Sequence, residues 1–301
     1  MEPRILIISP VRNEAKHIEL VVRSVAAQEL TPARWIVVDD DSTDDTLAIL
    51  QRLEDEVPFL IVAQAPRSVA DGPVRDRLAR AAAPRTFNAG LRMAGDLSQY
   101  THVMKLDGDI ELRPDYFRRL AERFAADPSL GLAGGVLDEP LPGGLGMRRI
   151  KIARNHVHGA LKLYTMACFE AIGGVQERLG WDTIDETYAR MRGFGTVSFT
   201  DLVSVHHRPI GSADGTVRGH ARHGTCAYIA HHPLSWVMLR ALRVGMRRPA
   251  VLSGLAFVYG YARAAARRVE RVPDPEYRRF TRREMRRRMV GAVIPNHEGA
   301  R

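Results

Sequence analysis

The sequence predicts an α/β fold built on a mostly parallel sheet flanked by helices, followed by a basic helical extension. Three observations predict it. Short apolar runs alternate with stretches of helical spacing, as the strand–helix units of a parallel sheet do. The early runs are continuously apolar rather than alternating, which marks strands covered on both faces. Three polar clusters, PVRNE, DDDSTDD and DGD, directly follow such runs, at the strand ends where doubly wound, Rossmann-like sheets hold their ligands.

The elements follow in order. Residues 4–9 (RILIIS) form a first strand ended by Pro10, and Asn13 can cap a helix over 14–28, where Ile18, Val21, Val22 and Val25 share a face. The unit repeats as WIVV at 35–38, the acidic loop, and a helix over 46–53. FLIVA at 59–63 is a third strand. Residues 67–84, rich in Arg, Ala, Gly and Pro, read as a loop with some helix, and 87–95 as a helix. HVMKL at 102–106 is a strand running into DGD, and Pro114 opens a helix to Phe124. A strand over 130–137, a loop over 141–146, a helix over 182–192 and a strand over 196–205 complete the first unit, 1–210. A His- and Gly-rich lid or linker (211–232) and a basic helical region (233–301) follow.

Of the 301 residues, 45% are hydrophobic and 26% charged, which excludes a disordered or fibrous chain. Two cysteines, Cys168 and Cys226, are too few for a disulfide framework and match no zinc spacing, so a reducing cytoplasm is expected. The start enters the first strand without a small-residue cleavage site, so no secretion signal is expected. The longest late uncharged run, 249–262, falls short of the roughly 20 residues a spanning helix needs. The net charge of +9 is uneven: residues 240–288 hold fifteen Arg against four acids, leaving the rest near neutral.

Asp107-Gly108-Asp109 is the sharpest chemical signal. Two carboxylates one residue apart at a strand end suit Mg²⁺ or Mn²⁺ carrying phosphates, and the glycine between them allows close approach. Asp39 and Asp40, nearest the second strand, are further binding candidates, whereas Asp44 and Asp45 are explained by helix capping. A phosphoacceptor receiver would carry its acids after the first strand, and an aspartyl phosphatase motif would continue into threonine where Ile110 stands.

Four motifs in order, SPVRNEAKHI (9–18), VVDDDSTDDT (37–46), FNAGLRMAGD (87–96) and KLDGDIELRPDYF (105–117), continued by FEAIGG (169–174) and GWD (180–182), resemble family 2 glycosyltransferases of the GT-A fold. The resemblance covers roughly residues 1–210 and lies nearest the inverting polysaccharide synthases, without their transmembrane helices. It implies a nucleotide-sugar donor, UDP-linked in the first instance, and a glycan or lipid-linked acceptor. It implies that Pro10, Val11, Glu14 and Asp39 or Asp40 hold the base and ribose, and that Arg85 and Asn88 face the nucleotide sugar. Asp109, with Asp107 beside it, would hold the metal, and Asp107 would also reach toward the ribose or the sugar. One departure is Asp41, where the family usually has glycine.

Inversion needs a carboxylate that takes the acceptor proton. The family's base motif, laid without gaps on 180–193, selects Asp182, with Asp185 and Glu186 one turn along as alternates. Of His206 and His207, alternation lets one face the site, and His207 at the strand end is the candidate for the metal shell. Trp181 could stack on an acceptor sugar or pack in the core. Two rival classes are a nucleotidyltransferase, which would show a Gly-rich basic loop after the first strand, and a non-catalytic nucleotide-sugar-binding protein at a membrane.

The carboxyl-terminal third suggests peripheral attachment to the inner face of a membrane. In 233–248, Arg240, Arg243 and Arg247 share one stripe, with Leu234, Met238, Ala241 and Leu242 opposite. Each basic residue near an anionic leaflet contributes about 1 kcal/mol. The competing use of these helices is packing on the catalytic unit or in a homodimer. Nucleic acid is not expected, because aromatic residues are not interleaved among the arginines.

Overall fold

The computed structural model describes residues 2–66, 81–141, 145–208, 215–246 and 251–289. Expectations for 67–80, 142–144, 209–214, 247–250 and 290–301, Arg247 among them, lie outside the described residues. The first half runs β1 (Ile5–Val11), α1 (Ile18–Ala26), β2 (Arg34–Asp39), α2 (Thr46–Glu56), β3 (Leu60–Gln64), α3 (Ala82–Met93), β4 (His102–Leu106), β5 (Ile110–Glu111) and α4 (Tyr116–Ala126). The second half runs β6 (Leu130–Pro140), β7 (Met147–Arg149), β8 (Leu161–Thr165), α5 (Met166–Ala171), α6 (Trp181–Met191) and β9 (Gly195–His206). Four helices follow, α7 (Thr216–Ile229), α8 (Leu234–Gly245), α9 (Leu252–Ala266) and α10 (Pro275–Met289).

One sheet has the order β3-β2-β1-β4-β8-β6-β9-β5, with β7 added beside β6. Parallel pairing dominates, through β3-β2-β1-β4 and the long β6–β9 ladder; β8, β5 and β7 are antiparallel insertions. The continuous apolar run of β1 has the expected cause. Ile5 and Ile7 enter a core with residues of α1, α2 and α4, while Leu6 and Ile8 enter the opposite core with Phe87, Phe169 and Ile184. Each face of the strand is thus fully covered.

Three differences from the sequence reading matter for the site. The helix expected from Glu14 begins at Ile18, because Glu14 O accepts from both His17 N (2.8 Å) and Ile18 N (2.9 Å) and closes a turn first. Strand β8 (LKLYT) is absent from the sequence reading, since Lys162, its second residue, breaks the apolar run, yet that lysine is fully buried. The segment expected as a lid or linker instead forms helix α7 over Thr216–Ile229, packed on α9. A Cβ at Gly224 would stand 1.9 Å from Phe257 O, and one at Gly260 1.8 Å from Ala221 O, so only glycine permits this approach.

Candidate active site

The carboxyl ends of β1, β2 and β4 meet, and their loops are laced together. Asp40 N donates to Val11 O (2.8 Å), Asn13 N to Ser42 Oγ (2.9 Å), Thr43 N to Asn13 Oδ1 (2.8 Å) and Glu14 N to Thr46 Oγ1 (2.7 Å). Pro10 and Val11 therefore form the floor between the two acidic loops. Asp41 takes φ +61°, a left-handed conformation that glycine enters freely and aspartate tolerates, so the loop keeps the shape that glycine would give it. A Cβ at Gly108 would lie 2.8 Å from Val11 Cγ1; its absence lets the DGD turn sit against the β1 loop.

Asp39 is 2% exposed; one carboxylate oxygen accepts from Ser42 N (3.1 Å), and Oδ1 is buried without a hydrogen-bond partner. A buried unpaired acceptor is costly, and a ligand N–H or O–H would satisfy it. Asp40 contributes its backbone, accepting at O from Arg12 Nη1 (2.8 Å).

Asp109 is 6% exposed, with Oδ2 3.4 Å from His206 Nε2 and 3.6 Å from Arg208 Nε. The other ring nitrogen of His206, Nδ1, is 3.1 Å from Glu139 Oε1, so the imidazole stands between two carboxylates. Burial disfavours the Asp109 carboxylate, yet His206, Arg208 and Lys105 outweigh it and hold the pKa below its ordinary value. Burial likewise disfavours a charged His206, and Asp109, Asp107 and Glu139 outweigh it, raising that pKa. Arg208 also pairs with Glu14, whose carboxyl is pushed up to about 7 by burial and by the negative charge of Asp109. Asp107 pairs with the buried Lys105 and remains a third exposed.

Helix α6 begins at Gly180 and carries the base candidates. Asp182 lies in its first turn, partly exposed. Asp185 and Glu186 are turned inward. Asp185 is 3% exposed, 2.9 Å from Lys162 Nζ, and accepts from Tyr164 Oη. Glu186 accepts from Val157 N (2.8 Å) and pairs with His156 Nδ1 (3.0 Å) and Lys162 Nζ (3.1 Å). The alternate base candidate Asp185 is thus engaged with Lys162 and Tyr164, on the face of α6 that meets β8. Trp181 lies 5.3 Å from Lys105 Nζ and 5.5 Å from Lys162 Nζ, measured to its ring, and links α6 to the DGD turn.

Other expected residues stand elsewhere. His207 stacks on His17 (centroids 5.2 Å) and directs Nε2 to Glu111 Oε2 (2.8 Å); His206 is the histidine beside Asp109. Asn88 donates to Val175 O (2.9 Å) and Glu177 Oε1 (3.2 Å), and the exposed Arg85 lies 4.0 Å from Glu177, so both are engaged with the segment after FEAIGG. Sequence reasoning missed Glu139, Arg208, Lys105 and Lys162. The available signals were an acid ending β6 and an arginine directly after the histidine pair.

The sheet of this order, flanked by helices and with carboxylates at its strand ends, is a GT-A fold. Residues 6–172 match the model of glycosyl transferase family 2, and the chain belongs to that family. An uncharacterized protein of Mycobacterium tuberculosis (strain CDC 1551 / Oshkosh), MT1568, is 32% identical over 133 residues, 44% of this chain and 35% of the relative. The match thus spans about a third of that relative's length. Among solved structures, the mannosyltransferase PcManGT of Pyrobaculum calidifontis with GDP-Man and Mn²⁺ aligns with TM-score 0.56 and 19% identity, covering 100% of this chain and 89% of that one. TarS residues 1–349 of S. aureus with UDP-GlcNAc gives 0.52 and 15%, covering 97% and 84%. GalNAc-T7 with UDP, GalNAc and Mn²⁺ gives 0.59 and 12%, covering 98% and 58%.

Proposed function

We propose that the chain is an inverting, divalent-metal-dependent glycosyltransferase that moves a sugar from a UDP-linked donor to a hydroxyl of a glycan or lipid-linked acceptor. The observation that carries this reading is the unpaired, buried Asp39 Oδ1 at the end of β2, set beside the Glu14–Arg208–Asp109 cluster. Asp39 would take a donor N–H or O–H from the base or ribose, with Pro10 and Val11 beneath it and Glu14 beside it. The solved neighbours hold UDP-GlcNAc or GDP-Man, which supports a nucleotide-sugar donor of this general kind.

Among the described residues no group of three His, Cys, Asp or Glu side chains could hold a metal ion by itself. The residues fit a metal shared with the substrate: Mg²⁺ and Mn²⁺ sites commonly use one or two protein ligands and complete the shell with phosphate oxygens. Asp109 would supply the carboxylate and His206 an imidazole, with Glu139 on the other ring nitrogen in the manner of an orienting carboxylate. Asp107 is the further candidate; His207, engaged with Glu111, is set aside in favour of His206. Such a cation supplies neutralisation of the departing diphosphate. Arg208, already among these carboxylates, would add a second positive charge toward the same phosphates.

In the transfer, the acceptor oxygen attacks the anomeric carbon as the bond to the diphosphate oxygen breaks on the opposite side. The acceptor proton passes to Asp182, the partly exposed carboxylate of α6. The test is a donor screen for nucleotide release with UDP, GDP and dTDP sugars, in Mn²⁺ or Mg²⁺ and in a chelator. Release from a UDP-sugar that stops in the chelator is expected; nucleotide binding without turnover of any donor would favour a non-catalytic role.

A further inference from the structure

Nine of the fourteen large hydrophobic side chains exposed among the described residues lie between Leu234 and Tyr259. That concentration is the feature to explain, because singly scattered apolar residues are ordinary on a surface and a contiguous set is not. On α8, Leu234 (60% exposed), Met238, Leu242 and Met246 (73%) recur every four residues. On and before α9, Val251, Leu255 and Tyr259 recur at the same spacing, each above 60% exposed, with Leu252 beside them. The two helices pack antiparallel: Gly254 lies on Ala241 O, and Val251 on Gly245. On each helix the exposed stripe borders the packed edge on the same rotational side, so antiparallel pairing turns both stripes outward together.

The arrangement differs from the stripe read in the sequence. Ala241 is buried against α9, and the Arg240 guanidinium lies over Trp236 and Phe257, 5.2 and 5.9 Å from the ring centroids. The exposed charges around the apolar surface are Arg240 and Arg243 on α8, Arg263 on α9 and Arg267 and Arg268 just beyond it. No Asp or Glu occurs anywhere from 215 to 269, a stretch that holds nine Arg. A protein partner's interface core would be depleted of such charge, and nucleic acid would not call for exposed Leu and Met. An apolar face whose charged neighbours along α8 and α9, among the described residues, are arginines matches an anionic bilayer, whose acyl boundary takes the aliphatic side chains while its headgroups take the arginines.

Helix α7 joins this face to the site. A Cβ at Gly180, the residue that starts α6, would stand 3.1 Å from Cys226 Cβ of α7, and α7 is the helix clasped to α9. We infer that the α8–α9 face docks on an anionic lipid surface and so presents Asp182 to an acceptor carried by a lipid in that surface. This rests on the proposed transfer reaction only for the acceptor; the docking itself stands on the face.

Vesicle co-sedimentation of the full chain decides it, using phosphatidylcholine alone and phosphatidylcholine with 30% phosphatidylglycerol as probes. Binding is expected to the anionic vesicles and at least tenfold less to the neutral ones. Leu242→Asp with Leu255→Asp, which alter only exposed side chains, should lower anionic binding at least tenfold. Thermal melting and UDP binding of that variant should remain as in the parent, which separates loss of docking from loss of fold or of the donor site. Three results would each overturn the docking: no binding by the parent, equal binding by parent and variant, or a parent dimer in sedimentation velocity that becomes monomeric in the variant without vesicle binding. If docking holds but no donor is turned over, the transfer reading fails and the surface remains.

Discussion

Two aspartates one turn apart on α6 have opposite surroundings. Asp182 is partly open, whereas Asp185 is enclosed by Lys162 and Tyr164. Breaking a buried ion pair outright costs about 3–5 kcal/mol. Asp185→Asn leaves Lys162 with Glu186 as its remaining carboxylate, so it should lower the unfolding free energy by less than that full amount but measurably, while Asp182→Asn leaves stability unchanged and cuts turnover roughly 10²- to 10⁴-fold with nucleotide affinity retained. A stable, inactive Asp185→Asn would reverse the two roles. The candidate carboxylates Asp39 and Asp109 were legible because each stands at or just after the end of an apolar strand, a signal that survives any detail of packing. The burial of Asp185 was not legible for a physical reason: helix periodicity tells which residues share a face but not what lies opposite, and here it is Lys162 of β8.

At the scale of elements, the same blindness applies to β9. Its parallel ladder with β6 pairs Phe199 with Gly135 and then Val203 with Val136, so three residues bulge out before the strand resumes. Alternation counted along the sequence has no knowledge of such a shift, which is why it could not tell that His206 stands beside Asp109 while His207 turns to Glu111. The α6–β8 network predicts a pH response. Burial alone would raise the Glu186 pKa, but Lys162 and His156 outweigh it and hold it below its ordinary 4.5. Its contribution is therefore fully present above 4.5 and is lost as pH falls below that value toward the folded pKa. The melting temperature of Glu186→Gln should fall less steeply than that of the parent over this acid range; parallel slopes would remove Glu186 as the cause. The α7–α9 clasp makes a second prediction. Gly260→Leu must force the helices apart against Ala221 O, a change expected to cost about 1–3 kcal/mol or more in chemical denaturation.

Across the whole molecule, acidic and basic residues are divided between two sets of elements. Carboxylates of Glu14, Asp39, Asp107 and Asp109 gather at the strand ends, while fifteen Arg crowd residues 240–288. The fold class was legible because covered strands and strand-end acids are written locally. The helical layer was legible only as composition, since the contacts at Gly224 and Gly260 join residues far apart in sequence and depend on what a missing Cβ allows. Raising salt should weaken any electrostatic attachment while leaving the buried core unaffected. The central claim is that the strand-end cluster binds a nucleotide diphosphate together with a divalent cation. Calorimetric titration of UDP in Mn²⁺ tests it most directly: the parent should bind, and Asp109→Ala should lose the metal-dependent part of that affinity. Equal binding by both proteins, or equal binding by the parent with and without the metal, would contradict it.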